Sequence, residues 1–389
     1  MIIDDYGDYD GLGLAQLVRD REVSAHDLVD TAIDAIERLN PDVNCVVQTL
    51  RDRAIAEIDA GLPYGPFRGV PFLVKEFGMH FEGMISSAGS RLAEGFRHDE
   101  DSEMMKRCRA AGLVAVGTTT LPEMAFNAST EALLYGPTRN PWHLEHATGG
   151  SSGGAGAAVG CGMVPIAHAN DGAGSIRIPG ACNGVIGMKP SRGRTPGGPD
   201  LGMLLWGLGV EFFETRTVRD SAAMLDVVAG PDPGCFYAAP PPRRSFLAAA
   251  HTPPPPLRVG VIDHLPGVQT TGDEQLARLA DTMKLLEELG HRCEPLRLDY
   301  DNEAFVTSTL PLWATTLGHY MALFARRTGR DIGPQTTERV TLSIYRYGQS
   351  LTAFELEAAM STQNAISRQV ARAIAPYDVL LTPALVRDV

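Results

Sequence analysis

The sequence predicts an α/β protein, because stretches with helical spacing alternate with short apolar stretches bounded by glycine or proline. Ser24 has the chemistry of an N-cap, and the helix after it is predicted to end at Asn40-Pro41. The following segments continue the alternation, as strands at 43–50, 69–77 and 114–120, a helix over 100–111, and further turns and strands through 163–170.

Residues 231–256 are rich in proline, which excludes a regular helix or an inner strand and predicts a surface connection. Beyond them the pattern returns to alternating elements. The predicted elements are a strand at 257–264, helices at 273–289, 303–327 and 353–375, and a buried strand over DVLLT (378–382).

Composition excludes several classes of protein. The chain has 34 basic and 47 acidic residues and a net charge of −13, which argues against a nucleic-acid partner. Its six cysteines form no CxxC pair, so neither a disulfide framework nor a zinc site is indicated. The acidic start, MIIDDYGDYD, does not resemble a secretory signal, and no apolar run has the length of a membrane span. We expect a cytoplasmic protein.

A glycine-serine stretch, GGSSGG (149–154), allows several interpretations. It lacks the lysine of a phosphate-binding loop and the preceding strand of a dinucleotide loop. Its first five residues fit GxSxG, the nucleophile elbow of α/β-hydrolases, but no strand leads into it. A loop packed closely against other backbone explains the glycines equally well. The stretch alone does not decide between these interpretations.

Three motifs in order carry a family resemblance: GVPFLVK (69–75), GGSSGG (149–154) and DGAGSIRIPGACNGVIGMKPSRGR (171–194). Together they resemble the amidase signature family of serine hydrolases. Within it, the run AHANDGAGS (167–175) is most similar to the 6-aminohexanoate cyclic-dimer hydrolases. The resemblance implies an amidase signature fold, with a central mixed β-sheet flanked by helices on both faces.

The resemblance also implies a Ser–cis-Ser–Lys triad. Ser175 would be the nucleophile, Ser151 the bridging serine after a cis Gly150–Ser151 bond, and Lys75 the base. The other implied site residues are the oxyanion-hole amides of Gly172, Ala173 and Gly174, the loop-supporting Ser152, Asp171 and Arg177, and the substrate-binding Met124, Phe126 and Asn127. Ala173 replaces a usual glycine and would be strained if its φ were positive. Cys182 and His168 are interpreted as structural residues. No cofactor or metal is implied.

The proposed base must lose its proton near neutral pH, although a lysine ordinarily has a pKa near 10.4. The pKa must fall by about 3, and burial among apolar groups can lower it that far. Phe72, Leu73 and Val74 directly precede Lys75 and favour such burial. Because consecutive side chains of a strand point to opposite faces, Glu76 is predicted to point away from Lys75.

We therefore expect an amidase that hydrolyses a small-molecule amide through an acyl-enzyme, as a single domain over 1–389. Its regions would be an N-terminal helical part (1–60), a catalytic core (61–230), the Pro-rich connection (231–256) and a remainder (257–389). Family members continue past the motif LLTP (380–383), so the resemblance implies that the C-terminal part is missing. The alternatives are an esterase or carbamoyl hydrolase, an amidotransferase A subunit, and a truncated, non-catalytic or partner-dependent subunit. A homodimer is compatible with the sequence.

Overall fold

The computed structural model describes residues 2–268 and 270–387, so residues 1, 269, 388 and 389 of the expected single domain lie outside the described residues. The chain divides into two compact units. The first holds the residues up to His251 together with Tyr320–Leu342, and the second holds Thr252–His319 and the residues from Ser343 onward. The single domain over 1–389 stays a prediction.

Helices are distributed along the whole chain. They are α1 (Gly11–Asp20), α2 (Ala25–Val43), α3 (Arg51–Asp59), α4 (Glu103–Ala110), α5 (Gly153–Gly160), α6 (Arg177–Asn183), α7 (Val218–Val228), α8 (Phe246–Ala250), α9 (Asp273–Glu288), α10 (Asn302–Thr328), α11 (Arg339–Ser350) and α12 (Ala353–Ile374). None of the helices in the described ranges is long and apolar enough to cross a bilayer.

The strands in the described part of the chain form three sheets. They are β1 (Val46–Thr49), β2 (Pro71–Lys75), β3 (Val114–Thr119), β4 (Arg139–Asn140), β5 (His143–Ala147), β6 (Ile166–Asp171), β7 (Ile186–Gly187), β8 (Val210–Thr215), β9 (Arg258–Val261), β10 (Arg292–Pro295) and β11 (Val379–Leu381). The first unit contains a six-stranded sheet in the order β1-β3-β2-β6-β8-β7 and the small pair β4-β5. Strands β3, β2 and β6 run parallel, whereas β1, β8 and β7 pair antiparallel, so the main sheet is mixed as predicted.

The core of the first unit lies around β2, β3 and β6, whose residues are all buried. Such apolar runs are typical of parallel strands that are covered on both faces. Among the side chains with no exposed surface are Phe72, Phe212 and Phe213. In the second unit β9 lies between β10 and β11 in a parallel sheet, and Val259, Val261 and Leu279 form its small core.

Several predicted elements need correction at their ends. Ser24 caps α2 as predicted, with Asp27 completing a capping box, but the helix continues past Pro41 to Val43. A proline in the last turn removes a single helical hydrogen bond, which the rest of a 19-residue helix tolerates. The Pro-rich segment contains the short helix α8, contrary to the prediction, because Phe246–Ala250 is free of proline and Ser245 caps it.

Candidate active site

Two neighbouring parallel strands bring the main site residues together. Lys75 is the last residue of β2, and Asp171 is the last residue of β6. Because β2 and β6 are parallel, with Leu73 paired to Ala167, their carboxyl ends lie at the same edge of the sheet. Ligand sites in sheets with parallel strands commonly form at this edge.

Lys75 has no exposed surface, and its ammonium donates three hydrogen bonds. The acceptors are Ser151 Oγ at 2.8 Å, Ser152 Oγ at 2.9 Å and Asn170 Oδ1 at 2.7 Å. Burial lowers the pKa of Lys75 from 10.5 to about 7, although nearby acidic side chains oppose the change. A lysine with this pKa exchanges its proton readily near neutral pH.

The Glu76 carboxylate lies away from Lys75, as predicted from the strand alternation. It accepts hydrogen bonds from Thr118 Oγ1 at 3.0 Å, from Tyr135 OH at 2.6 Å and from the Ser87 amide at 3.1 Å. Burial raises the pKa of Glu76, and these donors act in the opposite direction. The neighbouring acid therefore does not hold Lys75 in its charged form through an ion pair.

Ser151 and Ser152 stand directly before α5, and the Gly150–Ser151 peptide bond is cis, as the resemblance implied. The Ser152 amide donates to the Ser175 carbonyl at 3.2 Å, which ties the paired serines to the third serine. The Ser152 hydroxyl also donates to the Asn170 carbonyl at 3.3 Å. Ser175 itself is half-buried, in the turn between β6 and α6.

The glycines after the serines form a helix rather than the loop that their composition indicates. Helix α5 is buried along its length and packs on β2, β3, β6 and β8. A Cβ at Gly154 would lie 2.6 Å from both the backbone nitrogen and the oxygen of Thr120, so a side chain has no room there. The glycines therefore permit a close approach between a helix and the sheet.

Asp171 organises the turn that carries Ser175. Its carboxylate accepts from the amides of Gly174 at 2.7 Å and Ile176 at 3.2 Å, and it forms a two-pronged ion pair with Arg177. Burial alone would raise the pKa of Asp171, but the Arg177 guanidinium and the amides outweigh it and hold the pKa below its usual value. These contacts hold the turn between β6 and α6 around the Asp171 carboxylate.

The three predicted oxyanion residues differ in conformation and bonding. Gly174 has a φ of 121°, which favours glycine, and its amide is already bonded to Asp171. Ala173 is exposed and is not among the described non-glycine residues with positive φ, so the replacement of glycine by alanine adds no backbone strain. Gly172 is half-buried.

The predicted substrate-binding segment lies against the paired serines. A Cβ at Gly150 would be 2.7 Å from the Asn127 carbonyl oxygen. Asn127 is exposed, Phe126 is half-buried and Met124 is buried with a φ of 55°. The segment is therefore adjacent to the site, and its exposed member is Asn127.

Two residues interpreted as structural have different environments. Burial raises the pKa of Cys182 to about 11, so its thiol stays protonated and is not a nucleophile. His168 is fully buried, but within the described residues neither ring nitrogen has a hydrogen-bond partner. Its Nε2 lies 3.5 Å from Glu211 Oε1, without hydrogen-bond geometry. His168 is therefore buried, as expected of a structural residue, but within the described residues hydrogen bonds do not satisfy its ring nitrogens.

One group in the described ranges has side chains that suit a metal ion: His80, His98 and Asp200. Their ligand atoms lie within 4.8 Å of one another, whereas two ligands that each lie about 2 Å from one zinc ion are at most about 4 Å apart. The two imidazoles stack at 4.0 Å with 10° between their planes, so their lone pairs run side by side instead of converging. In this arrangement the group does not form a coordination site.

Comparison with known proteins decides the family. The Amidase family model matches residues 27–388. The 6-aminohexanoate-cyclic-dimer hydrolase of Paenarthrobacter ureafaciens is 38% identical over 334 residues, which are 85% of this chain and 67% of that protein. The protein of the same name from Pseudomonas sp. (strain NK87) is 34% identical over 97% of this chain and 78% of its own.

The chain belongs to the amidase signature family. This amidase is a hydrolase of amide bonds. A solved structure of 6-aminohexanoate cyclic dimer hydrolase complexed with substrate superposes with a TM-score of 0.90 and 32% identity, over 96% of this chain and 78% of that chain. The matches cover most of this chain, so the prediction of a missing C-terminal part receives no support from them.

Asn170 and Glu214 are residues of this amidase that the sequence analysis missed. Asn170 bonds Lys75 directly, and the signal in the sequence was its place beside Asp171 at the end of a predicted strand. Glu214 is fully buried on β8, and in the described part of the chain neither carboxyl oxygen has a hydrogen-bond partner. Burial raises the pKa of Glu214 well above its usual range and so favours the neutral carboxylic acid.

Proposed function

We propose that this amidase cleaves small carboxylic amides through an acyl-enzyme on Ser175, with Ser151 as the proton relay and Lys75 as the general base. The observation that carries the proposal is the fully buried Lys75, whose Nζ lies 2.8 Å from Ser151 Oγ. With a pKa of about 7, roughly half of the lysine is neutral at neutral pH and can accept a proton.

The reaction begins when neutral Lys75 takes the proton of Ser151, and Ser151 takes the proton of Ser175. The Ser175 oxygen then attacks the carbonyl carbon, and the carbonyl oxygen becomes an oxyanion. Collapse of this intermediate breaks the C–N bond, and Ser151 passes the proton from Lys75 to the leaving amine. Water then attacks the acyl-enzyme by the same route, which releases the carboxylic acid and restores Ser175.

The oxyanion needs backbone N–H groups that point at it. Because the Gly174 amide is engaged by Asp171, the proposed donors are the amides of Gly172 and Ala173 together with that of Ser175 itself. Gly174 then contributes through its φ of 121°, which sets the path of the backbone before Ser175. Ser152, Asp171 and Arg177 support this turn through the contacts described above.

Labelling with a fluorophosphonate probe tests the mechanism without knowledge of the substrate. We expect one adduct on Ser175, no adduct in Ser175→Ala, and labelling slower by about 10²- to 10⁴-fold in Lys75→Ala. The exposed residues Ser361 and Lys284 provide matched controls, since Ser361→Ala and Lys284→Ala remove the same groups elsewhere. Retention of the adduct by Ser175→Ala, or no labelling of folded wild-type protein, contradicts the proposal.

A substrate panel then tests the amide class. The relatives named as 6-aminohexanoate-cyclic-dimer hydrolases make the cyclic dimer of 6-aminohexanoate the first compound to assay, beside linear amides and the matching esters. Release of a primary amine from a cyclic or linear amide, absent in Ser175→Ala, supports the proposal. Turnover of esters with none of any amide favours the esterase alternative.

A further inference from the structure

The three hydrogen-bond partners of Lys75 differ in whether they can donate a hydrogen bond to its nitrogen. A neutral lysine has two N–H bonds and one lone pair, so one of its three partners must donate to it. The partners are Ser151 Oγ, Ser152 Oγ and Asn170 Oδ1, at 2.8, 2.9 and 2.7 Å. The identity of the donor decides which proton Lys75 removes.

Asn170 Oδ1 can only accept, and the amide cannot turn to present its nitrogen. Its Nδ2 donates to the Phe77 carbonyl at 2.8 Å and to Glu211 Oε1 at 3.4 Å. A flipped amide would place its oxygen against the Phe77 carbonyl, where two acceptors face each other. Asn170 is also held by its backbone, which pairs with Glu211 between β6 and β8.

Asn170 also orients the Ser152 hydroxyl, the second partner of Lys75, through its main-chain carbonyl. The Ser152 hydroxyl has an acceptor for its proton in the Asn170 carbonyl, at 3.3 Å. Ser152 can therefore accept from Lys75 while it donates to Asn170. With one N–H on Asn170 Oδ1 and the other on Ser152, the lone pair of neutral Lys75 faces Ser151.

We propose that Asn170 is a positioning residue that directs the lone pair of Lys75 at the Ser151 hydroxyl. The proton of Ser151 then moves to Nζ, and the Ser151 oxygen is free to accept the proton of Ser175. The inference rests on the proposed role of Lys75 as the base. The inference also explains how Lys75 selects Ser151 over Ser152, although both hydroxyls lie almost equally far from its Nζ.

The titratable groups around Lys75 also affect the pH profile of the protein. The acidic residues that act on it are Glu214 and Glu211 on β8 and Asp171 at the end of β6. Helix α5, which covers the site, consists of glycine, alanine and valine and carries no charge. A change at Asn170 substitutes none of these acidic residues and removes from them one donor, the Nδ2 group that bonds Glu211 Oε1 at 3.4 Å.

The test is the pH profile of fluorophosphonate labelling in the full-length protein. Asn170→Asp places a carboxylate beside Nζ, which favours the ammonium, so the rising limb moves to higher pH by about 1 unit or more. Asn170→Ala removes an acceptor of the ammonium, so the limb moves to lower pH, and the plateau rate falls by about tenfold or more because the lone pair is no longer directed. These opposite displacements are a signature that loss of packing does not produce.

Asn140→Asp is the matched control, because Asn140 is also a buried amide that donates to two main-chain carbonyls. We expect it to lower the melting temperature and leave the midpoint of the profile unmoved. Equal profiles for wild type, Asn170→Asp and Asn170→Ala, with folding checked by circular dichroism, overturn the inference alone. Unchanged labelling in Lys75→Ala overturns instead the proposed function on which it rests.

Discussion

Replacement of Lys75 by methionine should reveal the free energy stored in the buried amine. The pKa is about 7 in the folded protein and 10.5 in an ordinary lysine, and a difference of about 3.5 corresponds to about 5 kcal/mol. Below pH 7 Lys75 holds its proton in both the folded and the unfolded protein, and the full free-energy cost of burying the charged amine applies. Above it the unfolded chain binds more protons than the folded one, so stability rises with pH until both states are neutral.

Lys75→Met roughly keeps the volume of the side chain and removes its titratable amine. The free energy of unfolding of the wild type, minus that of the variant, should therefore rise by about 2 kcal/mol between pH 7 and pH 9. Packing changes and lost hydrogen bonds shift this difference by a constant, and the tyrosines that titrate at higher pH cancel in it. Urea unfolding at four or five pH values measures the difference.

Lys284→Met is the control, because Lys284 is exposed, and its difference should stay flat. A flat line for Lys75→Met as well would mean that Lys75 keeps its proton up to pH 9 in the folded protein. The buried amine would then be an ammonium under assay conditions, and the argument for Lys75 as the base would be refuted.

Three further changes test other parts of the site. Gly154→Ala should destabilise the protein by about 3 kcal/mol or more in urea unfolding, since its Cβ meets the Thr120 backbone. Gly318→Ala in the middle of α10 should instead stabilise it by about 0.5–1 kcal/mol, because the added Cβ would make an ordinary contact with Tyr345 Cδ2 at 3.8 Å. Arg177→Ala should slow fluorophosphonate labelling about tenfold, whereas Arg219→Ala, which breaks an ion pair of the same form with Asp10 at similar exposure, should leave the labelling rate unchanged. Glu214→Gln should leave the midpoint of the labelling profile within about 0.5 pH unit, because burial favours the neutral form of Glu214 and a neutral amide then takes its place. A midpoint that falls further would show that Glu214 is ionised and raises the pKa of Lys75.

Local chemistry explains which elements could be predicted. Strand β2 could be predicted because a short apolar run, bounded by glycine and proline, leads to a lysine. Helix α2 could be predicted because Ser24 caps a helical pattern. Helix α5 was not visible, because Gly153–Gly160 has low helix propensity and its helix is stabilised by burial against the sheet. Helix α8 was hidden by the prolines around it.

The same distinction applies to the site. Contacts within one segment, such as Asp171 with Arg177, follow from spacing in the sequence. The contact of Lys75 with Asn170 joins residues 95 positions apart and depends on the pairing of β2 with β6. Sequence alone could not show that the nitrogens of His168 lack hydrogen-bond partners among the described residues, because this depends on tertiary placement.

The pairing of β2 with β6 also sets the position of Lys75 relative to the serines. A slip of one residue between these strands would carry Lys75 about 3.3 Å along the sheet and turn it to the opposite face, where Glu76 now makes its contacts. The distance between base and serines is thus set by main-chain bonds deep in the core. Transfer of the serine segments alone to another scaffold would omit the proton acceptor, Lys75. A design that keeps Lys75 in place must therefore include both β2 and β6.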